Sequence, residues 1–164
     1  MPSVIIPGWV HNPGRHCGST SISDLMRFNG HAFSEAFCFG LGSGLGFFFI
    51  PMDGLSPSRM VATRSAGLEP NFFHAIGQPF EWNIDERRDS AFEIMRREIS
   101  TGTPLLIQCD LKYLHNYKTQ TSFSGHVIVL WGFDDEKRLC YVGDTQFPGL
   151  QEVSYEDMAK ARSS

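Results

Sequence analysis

The chain has 164 residues, 41% of them apolar and 20% charged, which are ordinary values for one globular domain with its own core, taken here as residues 1–164. Its net charge of −4 argues against nucleic acid as the main partner, because binding phosphates needs a surplus of Lys and Arg. No apolar run approaches the roughly 20 residues that cross a bilayer, and the opening "MPSVIIPGWVHNPGR" has neither the basic start nor the long apolar run of a secretory signal; no membrane partner and a cytoplasmic location are therefore expected.

In chain order, Val4 to Ile6 reads as a short strand. Residues 17 to 29 read as a helix, with Ile22, Leu25 and Met26 on one face and Asn29-Gly30 as its stop signal. A second short helix is expected from Ser34 to Leu41, broken by "GLGSGLG". That glycine run fits neither of the phosphate-cradling patterns, and it is taken as a tight connection. "GFFFIP" is expected to be a buried strand. Glu69 to Ile76 is a short helix, and Asp85 to Ile99 is the clearest one, with Ala91, Ile94, Met95 and Ile99 facing inward. From there the pattern changes to strands, in "TPLLIQCDL", "GHVIVLWGFD", "RLCYVGDT" and "QEVSY", before a closing helix in "YEDMAKAR". Helices first and an antiparallel sheet second make an α+β chain.

The four cysteines form no CxxC pair. Cys109 and Cys140 sit in apolar strand-like runs and Cys38 in "EAFCFGLG", so these three are expected to be buried and reduced. Cys17 stands apart. The polar, Pro- and Gly-bearing stretch "NPGRHCGSTSISDLMRFNG" leads straight into it at the start of a helix. Backbone N–H groups there, that of Gly18 among them, favour a thiolate and can also hold the oxyanion of a tetrahedral intermediate.

A base for that thiol is sought in "SGHVIVLWGFDDEKRLCYVGDTQF". A hairpin turning on Asp135-Glu136 or on Glu136-Lys137 puts His126 opposite residue 145 or 147, with Asp144 one to three positions away. Cross-strand and diagonal neighbours lie within about 8 Å, so His126 and Asp144 are expected to touch at the open end of the hairpin. A carboxylate beside an imidazole fixes its tautomer and keeps it basic. Cys17 as nucleophile, His126 as base and Asp144 as orienter make an activated thiol.

Other residues have lesser expected roles. Asn12, with His11 beside it, is a candidate second oxyanion donor. His16 adjoins Cys17 and does not face it on a helix, so it is expected to shape the site. Glu35 opens a helix, where a carboxylate is favourable, and is expected to act mainly as a cap, with contact to substrate as its other reading. No Cys or His pair has zinc spacing, and neither a metal nor an organic cofactor is expected.

The order Cys, His, Asp, on a helix followed by an antiparallel sheet, resembles the papain-like thiol enzymes, including the bacteriocin-processing peptidases. "HCGSTSISDLMRFNG", "SEAFCFGLGSGLGF", "TGTPLLIQCDLKYL" and "FSGHVIVLWGFDDEKRLCYVGDT", in that order from His16 to Arg162, are similar to the N-terminal domain of the butirosin-biosynthesis acyltransferase family. The resemblance implies a papain-like fold, N-terminal helices packed on a C-terminal antiparallel sheet. It also implies acyl transfer from an acyl carrier protein thioester to a small-molecule amine, through an acyl group on Cys17. A hydrolase with the same three residues and a non-catalytic binding module of the same fold are the competing readings. Arg87, Arg88, Arg96 and Arg97 form a candidate dock for an acidic carrier protein, against the plainer reading of a solvated helix face.

Overall fold

A computed structural model describes residues 3–54, 56, 58–64, 67–84 and 88–163, with backbone alone at 64, 88 and 89. Strand β1 (Ser3–Ile5) precedes α1 (Cys17–Phe28) and α2 (Glu35–Leu41). A hairpin of β2 (Leu45–Pro51) and β3 (Arg59–Arg64) leads to α3 (Leu68–Ala75) and α4 (Arg88–Ser100). The second half holds β4 (Leu105–Cys109), β5 (His126–Asp134), β6 (Leu139–Asp144), β7 (Phe147–Ser154) and α5 (Tyr155–Arg162). Two single-turn 3₁₀ segments, Leu111–Tyr113 and His115–Tyr117, lie between β4 and β5.

The main sheet is antiparallel throughout, in the order β1-β5-β6-β7. Strand β4 pairs with the first half of β5, Cys109 opposite His126, and β1 with its last residues, so β4 and β1 follow one another along one edge of β5. The β5–β6 hairpin takes one of its two expected registers beside the turn, Asp134 opposite Leu139. It slips by one at a bulge between Leu130 and Gly132, which sets Val129 opposite Gly143. The open end of the hairpin thus brings Asp144 to the diagonal of His126.

The described residues form two apolar cores. Met95 and Ile99 of α4 and Met158 and Ala161 of α5 pack with Ile128, Leu130, Cys140 and Val142 of the sheet. Ile22 and Met26 of α1 pack with Cys38 of α2 and with Leu68 and Phe72 of α3. Helix α1 runs between the two cores, which is why its polar run "STSISD" is buried on nearly every side. The buried groups find partners there: Ser21 Oγ donates to the Val127 carbonyl at 3.4 Å, and Ser23 Oγ to that of Phe33 at 2.8 Å. The helix ends at Phe28, with Asn29 as cap and Gly30 at φ 85°, a left-handed position that suits glycine.

The expectation for "GFFFIP" is corrected. Among the described residues β2 pairs only with β3, and Leu45 and Phe47 are 83% and 74% exposed. An apolar run bounded by turn signals has the same pattern whether or not anything covers it. Its partner "RMVATR" has too few apolar residues to read as a strand. In α4, Met95 and Ile99 are buried as expected, whereas Ala91 and Ile94 are half-buried. The expected start of that helix, residues 85–87, lies outside the described residues.

Candidate active site

Cys17 is the first residue of α1 and is half-buried, while Cys38, Cys109 and Cys140 are buried. The loop before it is tied down through five of its residues. The His11 ring donates from Nδ1 to Asp24 Oδ2 at 2.6 Å, and the Asn12 N–H donates to the same carboxylate at 3.2 Å. The Gly14 N–H donates to the Thr145 carbonyl at 2.7 Å. The N–H groups of Arg15 and His16 both donate to Glu35 Oε1, each at 2.8 Å, and Thr20 Oγ1 donates to it at 3.0 Å. Burial pushes the Glu35 carboxyl up, but these donors outweigh it and hold the group below the usual carboxylate range. A Cβ on Gly14 would collide with Thr20 and Glu35, so the loop can pass this close only as glycine.

Each flanking residue expected from the sequence has a definite place. His16 is the N-cap of α1, its Nδ1 accepting from the Ser19 N–H at 3.3 Å, with its ring edge-on to Phe39. Asn12 contributes its backbone, and its side chain is exposed. His11 is spent on Asp24. Glu35 opens α2 as expected, and its carboxylate reaches back to the loop before Cys17, away from the cap position that Ser34 fills. Gly18 is buried against α3, where a Cβ would come within 2.1 Å of Glu69 Oε1.

His126 and Asp144 come together as the hairpin register requires. Nε2 of the imidazole lies 2.7 Å from Asp144 Oδ1, and both side chains are buried. The Tyr117 hydroxyl donates to the same Oδ1 at 2.9 Å and lies 3.2 Å from Nε2. Burial pulls the imidazole down, but its hydrogen bonds to Asp144 and to Cys17, with their negative charge, raise it to about 9. With Nε2 turned to Asp144, Nδ1 is the nitrogen left to the thiol. Thr145, next in the chain, sits at φ 29°, an uncommon backbone for a β-branched residue, and from there its carbonyl accepts from Gly14.

Sequence reasoning missed Tyr117, Asp24 and Glu69. Tyr117 lies in the irregular connection "KYLHNYKTQTSFSG", which has no period to place it, and Asp24 reads as the polar face of an amphipathic helix. Nothing in "GLEPNFF" sets Glu69 apart from any helix-start acid.

The family described as "Butirosin biosynthesis protein H, N-terminal" matches residues 16–145, from the cap of α1 to the residue after Asp144. The chain belongs to this family. Among solved structures, one described as a C39-like peptidase from Bacillus anthracis superposes with a TM-score of 0.64 at 15% identity, covering 99% of this chain and 92% of that one. The family member thus has the papain-like fold of that peptidase, helices packed on a curled antiparallel sheet. No curated protein matches the chain.

The arginines expected to dock a carrier protein are partly occupied. Arg96 makes an ion pair with Asp135 at 2.9 Å and Arg97 with Glu98 at 2.7 Å. Residue 87 and the side chain of 88 lie outside the described residues. Among the described residues no helix is long and apolar enough to cross a membrane.

Proposed function

We propose that this chain is a cysteine-dependent acyltransferase that moves an acyl group from a carrier-protein thioester to an amine, with Cys17 as nucleophile, His126 as base and Asp144 as orienter. One observation carries the reading. The only cysteine of the four that is not buried starts a helix, and it touches an imidazole whose far nitrogen is held 2.7 Å from a buried carboxylate. The butirosin-biosynthesis family supports acyl transfer in natural-product biosynthesis, and a cytoplasmic location belongs to the same reading.

In the first half-reaction the Cys17 thiolate attacks the thioester carbonyl. The new C–S bond forms, the donor C–S bond breaks, and the leaving thiolate takes the proton held on His126. In the second, the amine attacks the acyl carbon, the C–N bond forms, the Cys17 thiolate leaves, and His126 takes the proton that the amine loses. The N–H groups at the start of α1, including that of Gly18, stabilise the oxyanion in both steps. Glu35, His16 and Asp24 act through the backbone around Cys17 and position it. Asn12, exposed beside the site, is the remaining candidate for a side-chain oxyanion donor.

A hydrolase is the second reading, and the C39-like peptidase fold is the observation that favours it. Water then replaces the amine. Intact-mass spectrometry after incubation with acyl-pantetheine thioesters, with and without added amine, tests both. Formation of an acyl adduct on Cys17 that an amine discharges to an amide supports transfer. Discharge to the free acid at a rate that amines do not change supports hydrolysis. The absence of any adduct sinks both.

A further inference from the structure

Glu69, in the first turn of α3, is 9% exposed. Its carboxyl lies against Gly18, so close that a single added methyl there would overlap Oε1. Among the described residues it meets no cation, and its only hydrogen-bond donor is its own backbone N–H. Buried carboxyls are normally paired, and an unpaired one destabilises the fold that carries it.

Its position relates it to the thiol. Successive residues of a helix are turned by about 100°. Ser21, one turn after Cys17, reaches the β5 backbone, while Ile22, one turn after Gly18, packs with Leu68 and Phe72. The start of α1 therefore has Cys17 and His126 on its β5 side and Glu69 on its α3 side, against Gly18, the residue next to the thiol.

We propose that Glu69 receives the acceptor substrate by binding the cationic form of its amine, a primary alkylammonium, beside the acyl group on Cys17. This rests on the acyltransferase reading. A carboxylate on that wall repels the phosphates of a carrier arm and attracts an ammonium, so it sorts the two substrates by charge. Burial raises the Glu69 carboxyl, which suits it to accept a proton. The bound ammonium passes one proton to this carboxylate, giving the acid and a neutral amine. The amine nitrogen attacks the acyl carbon, the C–S bond to Cys17 breaks, and the second proton goes to His126.

The test compares Glu69→Gln with the wild type in each half-reaction. Acyl-enzyme is formed from an acyl-pantetheine thioester and discharged at pH 7.5 with propylamine, a cation there, or with hydroxylamine, which is neutral there. The variant is expected to acylate within about 2-fold of the wild type, to lose about 10-fold or more in discharge by propylamine, and to keep its rate with hydroxylamine. Equal effects on both nucleophiles, or none on either, overturn the assignment. A measurement on the wild type needs no variant: methylguanidinium, a non-nucleophilic cation, should slow discharge by propylamine and leave acylation unchanged, and no slowing overturns the assignment. If the wild type forms no acyl-enzyme, the acyltransferase reading fails on its own. The cation site is then decided by whether methylguanidinium protects Cys17 from iodoacetamide in the wild type and not in Glu69→Gln.

Discussion

Nε2 of His126 lies 2.7 Å from Oδ1 of Asp144, and the Tyr117 hydroxyl donates to that same oxygen at 2.9 Å. One carboxylate oxygen therefore orients the imidazole while a phenol orients the carboxylate. Asp144→Asn keeps a hydrogen bond but favours the wrong tautomer, so a loss on the order of 10-fold in single-turnover acylation is expected, against about 100-fold for Asp144→Ala. Tyr117→Phe leaves the His126–Asp144 pair intact and should cost less than either. A Phe variant as slow as Asp144→Ala would mean that the phenol, and not the carboxylate, holds the ring.

Alkylation should single out Cys17. Burial pushes the Cys38 thiol up to about 11 and the Cys140 thiol up to about 12, and it raises Cys109 as well, so at pH 7 these three hold almost no thiolate. Iodoacetamide followed by peptide mapping should find Cys17 modified first. Earlier labelling of any other cysteine sinks the nucleophile assignment.

The places of Cys17, His126 and Asp144 were legible in the sequence for a simple reason. Each sits where a local rule applies: Cys17 at a helix start marked by Pro and Gly, His126 and Asp144 at the ends of a hairpin whose turn "DDEK" fixes the register to within a residue. Helix α1, its stop at Asn29-Gly30 and the order of the four later strands followed from the same rules. The exposure of β2 did not, because whether an apolar strand is covered depends on what folds over it. Nor did Glu35's grip on the loop, Tyr117 or Glu69. Those contacts join segments far apart in the chain, and no periodicity encodes them.

His126 also ties stability to pH. Its folded value of about 9 lies above the ordinary 6.5, so the protonated ring is favoured by folding. That stabilisation is complete below pH 6.5 and is lost as pH rises through about 9. Each pKa unit is worth about 1.4 kcal/mol, which caps the effect at about 3.5 kcal/mol. Thermal melts of the wild type should fall between pH 6.5 and 9 more steeply than those of His126→Gln. Parallel curves would show that the ring gains no proton affinity on folding.

Glu35→Ala removes the acceptor for two backbone N–H groups and the Thr20 hydroxyl. A cost of about 1 kcal/mol is expected, since donors on a partly exposed turn lose their acceptor. Glu35→Gln retains an acceptor oxygen and should keep most of the stability. Chemical denaturation of the two variants decides it: equal losses would mean that the charge, and not the hydrogen bonds, holds the loop.

Gly18→Ala is a severe steric change next to Cys17. The added methyl would meet Glu69 Oε1 at 2.1 Å and Leu68 Cδ2 at 3.4 Å, and the side chain of Glu69 must swing away. Alanine is otherwise the better helix former by about 1 kcal/mol. A net loss of stability on thermal melting is expected, and a stabilised variant would show that Glu69 moves at no cost.

The 2.7 Å bond from the Gly14 N–H to the Thr145 carbonyl joins the loop before Cys17 to the residue after Asp144. It makes a single amide proton a reporter on both halves of the site. Deuterium uptake at Gly14 can proceed only while the two segments are parted, so its protection factor measures how often the thiol and its partners come apart in the native protein. A ligand that bridges both walls should slow that uptake while leaving the amides of the distant β2–β3 hairpin at their ordinary rate.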